Sequence, residues 1–255
     1  MSKFTIRTKN IQAISSTYNT WFLFTRQFGF TFIHPQYLAR RDMLWFLKQS
    51  RKFATGKLID LGCGIKPYKK YYPEAQSYLG MDFPSTAWKY ESDDKPEIFG
   101  DILDLPIKDG YFDTVLLFEV LEHLDNPQNA IKEINRILKP GGTLLFTVPF
   151  LYQLHEIPFD YLRYTSYYLE KLFKTNGFEI LNLFSIGSFA SFWIQALISY
   201  CLIKFRENKL YLVALPVFVP FYLSANLFFW LFYPANPNKS PHPFPSGYFV
   251  IAKKS

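Results

Sequence analysis

From Lys57 onward the chain returns again and again to one pattern: a short apolar run that closes on an acid or a glycine turn. Such runs fall at 57–62, 77–82, 97–100, 112–118, 142–148, 178–185 and 247–253 and read as strands. Helical spacing fills several of the gaps. At 127–138, Ala130, Ile131, Ile134 and Ile137 recur on one face, and Leu138-Lys139-Pro140-Gly141-Gly142 then stops the helix. A mixed apolar and basic pattern at 37–53 predicts a further helix leading into the first strand. Strands alternating with helices predict an α/β domain, a mostly parallel sheet with helices on both faces.

The first run, Leu58-Ile59-Asp60-Leu61-Gly62-Cys63-Gly64, passes from a buried strand into a glycine turn. Glycine supplies positive φ and removes the Cβ atoms that would keep a ligand from the backbone. The third glycine of a dinucleotide fingerprint is missing, since Pro67 stands three residues after Gly64, which argues against a nicotinamide or flavin site. About twenty residues further on, Tyr78-Leu79-Gly80-Met81-Asp82 ends on an acid placed to accept hydrogen bonds from ribose hydroxyls. Cys63, between the glycines, reads as a small buried residue. It and Cys201 are the only cysteines, far apart and without metal-ligand spacing, so no metal is expected and a reducing, cytoplasmic setting is.

Three further segments follow in order: Phe99-Gly100-Asp101-Ile102-Leu103-Asp104-Leu105-Pro106, then Phe112 through Phe118-Glu119-Val120-Leu121-Glu122-His123, then Leu138 through Leu145. In order and spacing the chain resembles the class I S-adenosylmethionine-dependent methyltransferases, type 11-like, in the small-molecule group that includes quinone-biosynthesis enzymes. The resemblance covers roughly 37–186 and the last strand. It implies a Rossmann-like seven-stranded sheet whose last strand is antiparallel, and S-adenosylmethionine as cofactor. It also implies roles: Asp60, Gly62 and Gly64 around the methionine and ribose portion, and Asp82 on the ribose hydroxyls. Met81 or Phe83 would lie against the adenine, with Asp101 on the adenine amino group, Ile102 on the ring and Glu119 near the amino-acid tail. Asp60, Asp82 and Asp101 would otherwise serve as turn or helix caps, and Glu119, Glu122 and His123 as junction residues.

The acceptor side is read from Val148 to Thr165, which follows the C-terminal end of a strand, the edge where open α/β sheets bind ligands. His155 would take a proton from an acceptor hydroxyl, its ordinary pKa lying near neutrality. Arg163 would hold a phosphate or carboxylate, with His123, Tyr152, Asp160 and Tyr164 as further substrate candidates. The alternative is an internal Asp160–Arg163 pair and a histidine bonded to backbone.

Two regions lie outside this pattern. Residues 1–57 carry ten basic side chains against Asp42, about +9, which leaves about −2 for the rest of a chain of net +7, and they are interleaved with Trp21 and several Phe. That combination suits an anionic membrane surface or nucleic acid, or a helical cap with a solvated basic face. Between 187 and 246, uncharged stretches run from Gly187 to Ile203 and from Leu210 to Tyr233, each near bilayer-crossing length. Both ends return to one domain, so only a hairpin is allowed. The basic residues of its connecting loop, Pro216 and Pro220, and mid-stretch Gln195 and Asn226 argue against a full crossing. Helices embedded in one leaflet or lying at the interface are therefore expected; a transmembrane hairpin, or a soluble lid or homodimer contact, are the other readings.

The expected organisation is a basic aromatic arm at 1–53, a cofactor domain at 54–186 and 246–255, and a hydrophobic hairpin at 187–245. With no signal peptide visible at the polar start, the chain is expected at the cytoplasmic face of the membrane, peripheral or monotopic. The expected function is a methyltransferase acting on a lipid-linked, quinone-like or glycan acceptor. A soluble RNA methyltransferase and a non-catalytic cofactor-binding partner of a membrane complex are the alternatives; nucleic acid is disfavoured because Phe118-Glu119-Val120-Leu121 stands where a base-clamping motif would.

Overall fold

The computed structural model describes residues 31–84, 95–233 and 242–255. The basic aromatic arm before Thr31 lies outside them, as does most of the 234–245 return loop.

Seven strands form one sheet: β1 (Lys57–Leu61), β2 (Ser77–Asp82), β3 (Ile98–Phe99), β4 (Phe112–Phe118), β5 (Leu138–Pro149), β6 (Phe178–Ile186) and β7 (Gly247–Lys254). Their order is β3-β2-β1-β4-β5-β7-β6. The first five pair in parallel, while β7 runs antiparallel to both β5 and β6. Strand order reverses between β1 and β4, so a crevice opens at their C-terminal ends, where Gly62 and Glu119 stand. β1 and β4 are almost wholly buried, which is why their sequences are continuous apolar runs rather than alternations.

Helix α2 (Pro127–Ile137) begins with the Asn126 side chain accepting from Asn129 N at 3.1 Å, with Pro127 in its first turn. It ends at Ile137, before Pro140, as expected. The strand expected from 142 begins earlier, within the segment that stops the helix: Leu138 pairs with Phe112, and the register slips between Phe112 and Thr114. A bulge absorbs the glycines within the ladder. Helix α3 (Ser166–Thr175) is capped by Thr165, and Leu169, Leu172 and Phe173 reach the core.

Helix α1 (Tyr37–Ser50) has two packing partners. Met43, Phe46 and Leu47 pack with Leu58, Leu116, Phe118 and Phe249, the Phe46 ring stacked on Phe249 at 4.6 Å. Tyr37 and Leu38 instead meet Phe229.

Phe229 belongs to the insertion, which consists of α4 (Phe189–Glu207), a 3-10 turn at Lys209–Ala214, and α5 (Leu215–Phe232). Ser188 and Ser191 form a capping box at the start of α4. The expectation that Pro216 and Pro220 would break the second stretch is corrected. Pro216 lies in the first turn, where its missing N–H has no helical partner to lose, and α5 continues through Pro220 to Phe232.

Gln195 and Asn226, read as costly in lipid, are turned inward. Asn226 Nδ2 donates to the carbonyls of Phe32 and His34 at 2.8 and 2.9 Å, and Gln195 Nε2 to that of Pro35 at 3.1 Å. Arg41 donates to Tyr233 O and stacks its guanidinium over Phe229. The hairpin thus rests one narrow stripe on 32–41. Its other face is bare: Trp193, Leu197, Val217, Phe228, Trp230 and Phe232 are exposed, Val217 at 76% and Phe232 at 66%. Among the described residues, α5 alone is long and apolar enough to cross a membrane, and only Phe218, Asn226 and Phe229 of it are buried.

Candidate active site

The β1 turn is built by backbone geometry. Gly62 N and Cys63 N both donate to Met81 O, at 2.8 and 3.1 Å, which ties the turn to the end of β2. Gly62 (φ +73) and Gly64 (φ +54) occupy the left-handed region. A Cβ on Gly62 would overlap the Val120 side chain, whereas one on Gly64 would meet no atom within 4 Å. Gly62 is therefore required by packing, and Gly64 borders open space.

Asp82 closes this cradle. One carboxylate oxygen accepts from Gly64 N at 3.0 Å and the other from Phe83 N at 2.7 Å, so the group is fixed before any ligand arrives. The Phe83 ring beside it is 50% exposed. Asp60 differs from the reading that set it against the ligand: it lies beneath the turn, 1% exposed, accepting the hydroxyl of Tyr78. Burial outweighs that hydrogen bond and pushes its carboxyl up to about 7. Burial, with Asp60 and Asp82 nearby, also pushes the Cys63 thiol up, in keeping with a small inert residue.

Asp101 is exposed, and its carboxylate caps its own loop by accepting from Leu103 N at 2.9 Å; Ile102 is buried beside it. The loop is pinned from α2 by residues the sequence reading passed over. Asn129 Nδ2 donates to Leu103 O at 2.7 Å, Glu133 accepts from Leu105 N at 3.1 Å, and Arg136 donates to Leu105 O and Ile107 O.

At the end of β4, Glu119 holds φ +55, a conformation costly for a residue with a Cβ, with its N–H on Thr147 O at 3.1 Å. Its side chain is open to the cleft on one side and crowded by protein on the others. That crowding, and then the neighbouring Glu122, raises its carboxyl.

The segment after β5 folds onto the turn Leu121–His123. Tyr161 N and Leu162 N donate to Glu122 O at 2.9 and 3.2 Å, and the buried Tyr164 hydroxyl donates to Leu121 O at 3.0 Å, so Tyr164 acts as a brace. His155 thereby meets Glu122 and His123, 33 and 32 positions earlier. His155 Nε2 stands 3.6 Å and His123 Nε2 3.7 Å from the same Glu122 oxygen. The other ring nitrogens face outward partners, His123 Nδ1 the carbonyl of Phe159 at 2.8 Å, and His155 Nδ1 Asp160 at 3.2 Å and Gln153 O at 3.3 Å. Burial opposes the charged imidazole of His155, but Glu122 and Asp160 outweigh it and raise its pKa. Asp160 and Arg163 do form the internal pair that stood as the alternative, and Arg163 holds the Asp160 carboxyl well below the usual range.

Beside this corner lies a mainly apolar cavity of about 590 Å³, roofed by α4. Leu38 and Ala39 of α1, Phe150 to Leu154, Asp160 to Arg163, and Phe192, Gln195 and Tyr200 of α4 line it. Asp60, Gly62, Gly64 and Asp82 do not. It is a second compartment, next to the cradle and opening beneath the hydrophobic hairpin.

A glycine turn bordering open space, a preset carboxylate after β2 and this strand order define a nucleoside-binding α/β domain. Residues 59–146 match the family described as Methyltransferase domain. Over that third of the chain the match is to a methyltransferase domain, and the strand order fits the class I S-adenosylmethionine-dependent methyltransferases.

The relatives fit that class and differ in acceptor. The chain is 25% identical over 154 residues, 56% of its length and 60% of the relative's, to a Mycolicibacterium smegmatis protein named Probable S-adenosylmethionine-dependent methyltransferase. It is 33% identical over 95 residues to a tRNA (carboxymethyluridine(34)-5-O)-methyltransferase of Arabidopsis thaliana, covering 36% of this chain and 23% of that one. It is 27% identical over 122 residues to the demethylmenaquinone methyltransferase of Staphylococcus carnosus, covering 42% and 51%. The chain thus spans between a quarter and three fifths of these relatives' lengths. A solved SAM-dependent methyltransferase from Thermotoga maritima shares the fold, with a TM-score of 0.55 at 14% identity over 91% of this chain and 98% of that one.

Proposed function

We propose that this protein is an S-adenosylmethionine-dependent methyltransferase working at a membrane surface on an apolar, lipid-linked or quinone-like acceptor that bears a hydroxyl. The observation that carries the acceptor class is the 590 Å³ apolar cavity between the post-β5 segment and α4, roofed by a helix whose outer face is bare hydrocarbon and aromatic surface. A substrate dissolved in lipid would reach that cavity without crossing water. Exposed apolar surface on this scale calls for a partner or a bilayer. The inward-turned Gln195 and Asn226 leave lipid facing side chains that suit it.

The cofactor brings a methyl group already activated by a sulfonium charge, so the chain's own residues align reactants and exclude water. Asp82 would hold the ribose hydroxyls, Gly64 would let the cofactor approach the backbone, and Phe83 and Ile102 would border the adenine. Glu119 would face the amino-acid tail. The acceptor proton would leave at the corner formed by Glu122, His123 and His155. Asp160 and Arg163, already paired, orient that corner. We place the protein on the cytoplasmic face of the membrane, where the cofactor is made.

The test is to incubate the purified protein with methyl-labelled S-adenosylmethionine and a total lipid extract, then partition and mass-analyse the products. Label in the organic phase, dependent on Asp82, supports the reading. Label confined to RNA or to water-soluble glycans overturns the membrane-acceptor part.

A further inference from the structure

Glu122 stands out among the buried acids of the described residues because both its carboxylate oxygens lack a hydrogen bond. It is fully buried, and two imidazole nitrogens face it at 3.6 and 3.7 Å. A carboxylate left like this costs several kcal/mol unless a cation answers it.

Both histidines have an acceptor beside Nδ1, the arrangement that favours the tautomer a cation needs. His123 places Nδ1 on the Phe159 carbonyl, and His155 places Nδ1 against Asp160 and the Gln153 carbonyl. If those nitrogens carry the protons, both Nε2 lone pairs point at Glu122. Orientation of a ligating imidazole by an N–H bond to a carbonyl or carboxylate is the usual support around a metal. The three ligand atoms lie within 4.8 Å of one another. In a tetrahedral shell with bonds of about 2.0–2.1 Å, they would sit about 3.3 Å apart, so closure needs only small side-chain shifts. The sites most like this one, two imidazoles and one carboxylate with an open position, take transition metals rather than magnesium or calcium, which prefer oxygen throughout.

We infer that Glu122, His123 and His155 form a binding site for one divalent transition-metal ion, behind residues that line the acceptor cavity. His155 and His123 side chains are 25% and 19% exposed, which leaves a face open for an exogenous oxygen. Its two supports, Asp160 and Gln153, line the cavity itself. The site stands on this geometry alone; only its service to an acceptor rests on the methyltransferase reading. There, a hydroxyl coordinated to the ion would lose its proton more readily, and His155 would act as a ligand in place of a free base.

The test uses the tag-free full chain, stripped with chelator and titrated with Co²⁺ while its visible absorption is recorded, then with Zn²⁺ in competition. One saturable equivalent of Co²⁺, displaced by Zn²⁺ and weakened at least tenfold in both His123→Gln and His155→Gln, is the expected result. Circular dichroism and thermal melting on the same samples report whether each variant is folded, and S-adenosylmethionine binding is measured beside them by calorimetry; Glu122→Gln serves if one histidine variant is not folded. No saturable site, or a site unmoved by these substitutions, overturns the inference and shows an ion-pair network only. Cofactor binding without metal binding overturns this inference alone, and metal binding without cofactor binding overturns the proposed function alone.

Discussion

Gly62 and Gly64 share a turn and a sign of φ, yet they answer to different demands. A methyl group at Gly62 collides with Val120, so Gly62→Ala is expected to lower stability by about 1–3 kcal/mol, read as a fall in Tm. At Gly64 the methyl meets only open space, and the left-handed backbone costs about 1–2 kcal/mol. Gly64→Ala is therefore expected to stay folded and to bind S-adenosylmethionine more weakly; equal affinity would mean that the open space is not the cofactor's. Asp60 gives a pH signature. Its carboxyl ionises at about 7 in the folded chain and at about 3.9 unfolded. Between those values the folded state holds a proton that the unfolded state has released, so this residue's contribution is lost as pH rises from about 4 to about 7. Asp60→Asn should remove that slope: the Tm of wild type relative to the variant should fall between pH 4.5 and 7.5, and parallel curves would contradict the assignment.

At the scale of elements, strands were legible because β1 and β4 are buried on both faces, which favours dense apolar runs such as Val115–Phe118, and Leu58–Leu61 around Asp60. Helix α2 was legible from four residues at one spacing. What the sequence hid was long-range pairing. Nothing local says that Asn226 holds the carbonyls of Phe32 and His34, more than 190 positions away, or that His155 comes to Glu122. Tyr78 over Asp60 was likewise invisible, since strand neighbours 18 positions apart are fixed only once β1 and β2 pair in register. The Asn226 latch is what converts two apolar stretches into a docked hairpin. Asn226→Leu should remove the donor that Phe32 and His34 carbonyls share and cost about 1–3 kcal/mol, or about 2–4 °C of Tm for each kcal/mol in a domain of this size. An unchanged Tm in detergent would show that the latch contributes nothing. The Asp101 loop depends similarly on α2: Arg136→Ala frees Leu105 and Ile107, and weaker cofactor binding with little change in Tm is the expected outcome by calorimetry and thermal melting.

For the whole molecule, the proposed function would have a cofactor cradle at one rim of the sheet serve the cavity under α4, with the hairpin's exposed face toward lipid. Replacing Trp193, Val217 and Phe232 together with Ser removes exposed apolar surface without replacing a residue of the buried stripe. Flotation with anionic vesicles should then drop at least tenfold, while cofactor affinity holds; undiminished flotation would place the membrane contact elsewhere. The central claim, that the turn after β1 and Asp82 embrace an adenosine-bearing sulfonium, is tested most directly by titrating S-adenosylmethionine into the purified protein in a calorimeter. One saturable equivalent, abolished in a folded Asp82→Ala variant, is the expected result; no binding, or binding that ignores Asp82, would contradict it.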